Sequence, residues 1–308
     1  FGREAIAASL AALLGLAGIP VGALVLGLCL ALVSGAARDL LWPACIRASA
    51  SIPALAALLL PVLFGAGLLY EWTDIAASGF RGAWLAWPGF VLRGMGYLLL
   101  WWLLASWALP ASIARPQRAG LALIALVLSV SLAAVDWAMS IDEQFKSSIF
   151  GLLWLGRLML SGVAFCALLS MRTTGEGKGV LRGILAAGVL LWLYLHAMQY
   201  LIIWYGNLPE EVRWYQQRAA GGWWWSSWLL GWGQAAVLVC LFWPWSARAP
   251  VLRLLCIATL ALGLVEGAWL VLPGLDDAEV WPLLGLLGAP WVAGSASIWL
   301  VLQGRRAQ

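Results

Sequence analysis

Apolar residues run along this chain in unbroken stretches of about twenty, broken by short segments that hold most of the charges. The stretches are rich in Leu, Ala, Gly and Val and lack the period-two alternation of an outer-membrane barrel strand. In hydrocarbon, every backbone N–H and C=O must find its partner inside the protein, which for isolated apolar runs means a helix. The pattern therefore predicts an all-α, polytopic transmembrane helical bundle. About nine spans are expected, at 7–33, 52–70, 89–109, 120–140, 149–170, 180–203, 222–243, 250–272 and 283–302. Because the numbering opens on Phe1, a tenth span upstream is compatible with the pattern. The breaks are short, so residues 1–308 read as a single integral membrane domain without a separate soluble domain.

Composition sharpens this picture. Mean hydropathy is +0.92 and only 10% of residues are charged, far from a soluble globular balance. The basic residues sort by side. Arg38, Arg47, Arg115, Arg118, Arg172, Lys178, Arg182, Arg248, Arg253, Arg305 and Arg306 fall on one face, and Arg3, Arg81, Arg93, Lys146, Arg213 and Arg218 on the other. Eleven against six assigns the first set to the cytoplasm. The expectation is a multi-pass protein of a bacterial inner membrane, with its N-terminus periplasmic and its C-terminus cytoplasmic. The opposite face collects Glu71, Asp74, Asp142, Glu143, Glu210, Glu211, Asp276, Asp277 and Glu279. The net charge of +4 reflects this sorting and gives no reason to expect nucleic acid as a partner.

Cysteine and histidine usage narrows the cofactors. Cys29, Cys45, Cys166, Cys240 and Cys256 form no CxxC or CxxCH, so neither an iron–sulfur cluster nor a covalent haem is expected on this chain. A bis-histidine haem needs two histidines, and the sequence has only His196. No resident metal is expected.

The polar residues inside the apolar runs are the candidate chemistry. Asp136, His196 and Glu266 each lie about sixteen residues from the cytoplasmic end of their spans, roughly 24 Å into a core of about 30 Å. Arg93 and Arg157 enter from the other side to a similar level, so five helices bring titratable groups to one layer near the outer surface. Tyr97, Ser140, Ser161 and Tyr200 stand one turn away, with Gln199 beside Tyr200. Two readings stay open: ion pairs that fix helix packing, with His196 a satisfied interhelical residue, or a proton-accepting or quinol-facing pocket.

Aromatic residues mark the same outer boundary. Of 23 tryptophans, about ten fall there, including the run Trp223, Trp224 and Trp225. Such rings suit either a lipid-facing belt or the docking surface of a partner. NLPEE (207–211) ends the sixth span. It reads as a capped turn with Glu210 and Glu211 solvated beside Arg213 and Arg218, or as a docking site for a basic or haem-bearing periplasmic partner.

Particular strings carry a resemblance. VDWAMSIDEQFKSSIFG (135–151) and YLHAMQYLIIWYGNLPEEVRWYQQR (194–218) resemble the second large polytopic subunit of bacterial alternative complex III, a quinol:cytochrome c oxidoreductase. The matching positions are Asp136, Trp137, Met139, Ser140, Phe150 and Gly151, then Gln199, Tyr200, Trp204, Asn207, Pro209, Glu210, Glu211, Trp214, Tyr215 and Arg218. YEWTD (70–74) and VLRGMGYLLLWW (91–102) fit more loosely, and where the family carries Pro-His-Trp-Phe this chain has DEQF (142–145). The resemblance implies a fold like the membrane subunits of polysulfide-reductase-like enzymes. It also implies a hetero-oligomer with a sister polytopic quinone-binding subunit and periplasmic iron–sulfur and cytochrome c subunits, quinone or quinol and lipids being the ligands.

The resulting expectation is a non-haem oxidoreductase subunit of a respiratory or photosynthetic electron-transfer complex. Asp136, His196, Glu266, Arg157, Arg93, Gln199 and Tyr200 would line a proton path or quinone-adjacent site, and Glu210, Glu211, Trp223, Trp224 and Trp225 would dock partners. A scaffold without chemistry and a stand-alone ion or solute transporter are the alternatives.

Overall fold

The computed structural model describes residues 2–73, 79–142, 144–173, 177–275 and 280–304. The side chains at 81, 172, 173, 280–286 and 304 are outside that description. Asp74, Glu143, Asp276, Asp277, Glu279, Arg305 and Arg306, with the side chains of Arg81, Arg172 and Trp281, therefore lie outside the described residues. All regular structure among the described residues is helical.

The main helices are α1 (Gly2–Leu16), α2 (Pro20–Leu32), α3 (Ala36–Ser49), α4 (Ala56–Phe64), α5 (Trp87–Leu103), α6 (Pro116–Trp137), α7 (Phe150–Thr173), α8 (Lys178–Gly206), α9 (Pro209–Ala219), α10 (Trp224–Phe242), α11 (Ala249–Val271) and α12 (Val280–Gly304). Seven helical stretches among the described residues are long and apolar enough to cross a membrane. They become eight if α3 and the Ile52–Phe64 segment, bent by 43° at their junction, count as one span. The ninth expected span corresponds to α12, whose stretch with described side chains, Leu287–Gln303, is apolar.

Two expectations change. Residues 34–51, read as a cytoplasmic loop because Arg38, Asp39 and Arg47 dilute the apolar signal, are largely the helix α3, packed on α2 and α7. The turn expected after Asn207 leads instead into an eleven-residue helix, α9. Asn207 takes the left-handed conformation (φ 48°) and donates its N–H to the Ile203 carbonyl. Asn tolerates that conformation better than most residues, and Pro209 then starts the next helix with φ already set.

The first span is the axis of the bundle: 89% of its apolar window is buried, against 28% for Lys178–Gly206. Pro20 splits it into α1 and α2, because proline has no N–H to give and crowds the preceding turn. The Ile19 N–H bonds the Leu16 carbonyl there, at 3.0 Å. α1 packs on α11, and α2 on α7. Glycine permits the second contact, since a Cβ at Gly22 would sit 1.8 Å from the Leu158 carbonyl oxygen and one at Gly162 would sit 2.2 Å from the Gly22 backbone.

Gly22→Ala should therefore push α2 and α7 apart at a cost of about 1–3 kcal/mol. Gly120, with nothing within 4 Å of its would-be Cβ, should accept alanine without loss. Melting temperatures of the two variants in one detergent check this, and equal melting would contradict the backbone contact.

Candidate functional site

The five charged candidates resolve into two clusters. In the first, the Asp136 carboxylate on α6 receives four donors. Trp84 Nε1 (3.1 Å) and Arg93 Nη2 (3.2 Å) reach Oδ1, while Arg93 Nε (2.8 Å) and the Tyr97 hydroxyl (2.8 Å) reach Oδ2. A carboxylate has about four lone-pair positions, so this set leaves none over. Arg93 also donates to the Trp84 carbonyl and stacks 4.2 Å over its ring. Ser140 donates to the backbone carbonyl of Asp136 and leaves the carboxylate to the others.

The second cluster joins α7, α8 and α11. Arg157 Nε lies 2.9 Å from Glu266 Oε2, without hydrogen-bond alignment, and its Nη1 donates to Ser161 one turn away. The Trp192 indole donates to the same Oε2 at 2.9 Å. The remaining oxygen, Oε1, faces His196 Nε2 at 3.2 Å. Side-chain exposure is 3% for both Arg157 and Glu266 but 20% for His196, which stacks on Trp192 at 3.9 Å and reaches the outside of the cluster.

His196 Nδ1 is 3.0 Å from the Trp192 carbonyl, which can only accept, so Nδ1 carries a hydrogen. A bare Nε2 facing a bare Oε1 would set two lone pairs against each other. Nε2 and Oε1, 3.2 Å apart, are close enough to share a proton.

Two spaces adjoin the pair. Toward the interior is a small cavity of about 20 Å³, enough for one water. It is bounded by His196, Glu266, Gln199, Trp154, Trp214 and Tyr215 among others. Gln199 Oε1 and Trp154 Nε1, both buried and without hydrogen-bond partners among the described residues, supply an acceptor and a donor in its wall. On the other side is an open, mainly apolar cleft of about 310 Å³ between α8 and α10, lined by Trp192, His196, Tyr200, Tyr215, Leu230 and Trp269 among others. His196, Tyr215 and Trp269 line both spaces.

α9 closes the outer end of this site. Trp214 stacks on Phe145 at 4.5 Å and meets Trp269 edge-on at 5.1 Å. Arg218, expected in a solvated charge cluster with Glu210 and Glu211, is 3% exposed and points inward. It lies 3.4 Å from the Trp214 ring centroid and donates to the Trp214, Trp269 and Leu270 carbonyls. Those last two belong to the C-terminal turn of α11, where a cation is favoured by the unpaired carbonyls. Burial pulls the Arg218 pKa down to about 9, which leaves it cationic at neutral pH. Arg213 turns to Asp142 at 3.6 Å. Glu210 is exposed and Glu211 half-buried, and neither pairs with an arginine among the described residues. The tryptophan run splits by helical rotation: Trp223 is buried, Trp225 half-buried, and Trp224 exposed.

Sequence reasoning missed Trp192, Gly263, Trp154 and the inward role of Arg218. Trp192 stands four residues before the one histidine, a visible spacing. Gly263 has no such signal: a Cβ there would lie 1.1 Å from Arg157 Nη2, so only glycine leaves room for the guanidinium. Among the described residues no group of three or more His, Cys, Asp or Glu could hold a metal ion. No family model matches the chain, and no curated protein matches it at a significant level.

Removing one member of the buried pair should cost more than removing both. Arg157→Met alone is expected to destabilise by about 3–5 kcal/mol, because it strands Glu266 in a low dielectric. Adding Glu266→Leu should recover much of that loss. Additive losses in a double-mutant cycle of unfolding would show that the two side chains are not coupled.

Proposed function

We propose that this chain is a non-haem membrane subunit of a quinol-oxidising electron-transfer complex of the alternative complex III kind. In this reading the His196–Glu266 pair accepts protons near the periplasmic side of a bacterial inner membrane. The observation that carries the reading is the position of His196, with a membrane-open cleft on one side and a buried carboxylate on the other. The cleft has the apolar and aromatic lining that suits a quinol headgroup and its isoprenoid tail. Oxidising one quinol releases two protons and two electrons. The two protons enter the His196–Glu266 pair one after the other, the first passing on before the second arrives. The electrons leave to metal centres on partner chains, the iron–sulfur and cytochrome c subunits of the periplasmic side. The water-sized cavity beside Gln199 and Tyr215 offers the proton a next stop toward the outer surface, and Glu210 and Trp224, both exposed there, are available to a docked partner. A sister polytopic subunit and lipids complete the assembly.

A scaffold role is favoured for one element only. Asp136 has all its acceptor positions filled and lines neither space that adjoins the His196–Glu266 pair, so it acts as a packing ion pair with Arg93.

Protein purified in mild detergent from its native membrane should carry an iron–sulfur protein and a c-type cytochrome, identified by mass spectrometry. Glu266→Gln and His196→Phe should each slow quinol oxidation by about 100-fold with assembly intact, whereas Asp136→Asn should lower the melting temperature and leave turnover per complex unchanged. A solitary chain, or full activity in Glu266→Gln, would contradict the reading and bring transport forward.

A further inference from the structure

The cytoplasmic end of the bundle holds a cation that no group among the described residues neutralises. Arg47, near the end of α3, is half-buried, and among the described residues it has no ion pair, hydrogen bond or ring partner. Its side chain lines two separate clefts. One, of about 470 Å³, opens between α3, α7 and the start of α8 against Leu40, Pro43 and Val180. The other, of about 300 Å³, opens between α7 and α12 against Phe165, Leu168 and Trp299. Arg47 and Leu169 are the two residues common to both. The carboxylate on the rim, Asp39, is largely solvent-exposed and faces Arg38 at 3.8 Å.

Depth and charge select the occupant. Leu169 lies about one turn, roughly 6 Å, from the end of α7, and Gln303, at the end of α12, lines the same cleft. Arg47 thus stands at the level where headgroups meet acyl chains, with Lys178 following Gly177 on the rim of the larger cleft. A guanidinium left half-buried at that depth calls for an anion. Apolar troughs on both sides of it match two acyl chains hanging from one phosphate, and basic pockets between helices on the cytoplasmic side suit anionic lipids. The surrounding cations disfavour a headgroup that brings its own ammonium.

We propose that Arg47 binds the phosphodiester of an anionic phospholipid whose acyl chains lie in the two clefts that meet at Leu169. The site stands at the opposite end of the bundle from His196 and does not depend on the redox reading.

Native mass spectrometry of the full chain in neutral detergent tests it, with phosphatidylglycerol, phosphatidylcholine and inorganic phosphate added in turn. The expected result is one tightly retained phosphatidylglycerol, at least tenfold weaker retention in Arg47→Gln, and no displacement by excess phosphate. Leu169→Trp, which keeps the cation but obstructs the place where the two troughs meet, should also weaken lipid retention, and it decides the matter if Arg47→Gln fails to fold. Equal retention of phosphatidylcholine, displacement by inorganic phosphate, or undiminished phosphatidylglycerol binding in both variants would overturn the proposal.

Discussion

A carboxylate inside a helical membrane bundle survives as a charge only where a cation and several donors reach it, because an unpaired charge there costs several kcal/mol or more. Much of the structure around α7, α8 and α11 follows from meeting that condition at Glu266. Arg157 crosses from α7, Trp192 leans in from α8, and position 263 must be glycine so that the guanidinium can pass. The oxygen left over is the one that meets His196. Asp136 meets the same condition differently, with four donors and nothing left for a proton. Two buried acids, one on α6 and one on α11, thus differ in how many of their lone pairs the protein has already used.

The arrangement is held by backbone proximity and by aromatic rings. Glycines at 22 and 162 let α2 and α7 touch, which sets the helix that carries Arg157 against the axis of the bundle. Tyr97, Trp137 and Trp154 form a run of rings 5.9 and 6.0 Å apart that leads from the Asp136 cluster to the cavity beside Glu266. At the outer end α9 is tied down by Arg218 across the last carbonyls of α11. That clamp lets Trp214 and Tyr215 cover the site, so the lid and the buried pair are parts of one structure.

Helix type was legible in the sequence because it depends on local apolarity. The pairing was not, since depth says nothing of rotation: Arg93 and Arg157 were equally eligible for Asp136 and Glu266 until helix faces were known. α3 escaped notice because its charges mask a helix stabilised by packing on α2 and α7, and α9 because Asn207 and Pro209 look the same before a loop as before a new helix. Arg218 was misplaced for a related reason. A lone arginine in a polar segment reads as solvated, and its true partners are backbone carbonyls, which leave no trace in sequence.

The most direct test uses the fact that the sequence has a single histidine. In protein labelled with ¹⁵N-histidine, one imidazole gives every ring-nitrogen signal. The account predicts that Nδ1 stays protonated throughout, and that Nε2 shows a shared or bound proton whose signal changes in Glu266→Gln and on adding a quinone analogue. A neutral imidazole with its hydrogen on Nε2 and a bare Nδ1, indifferent to both changes, would contradict it.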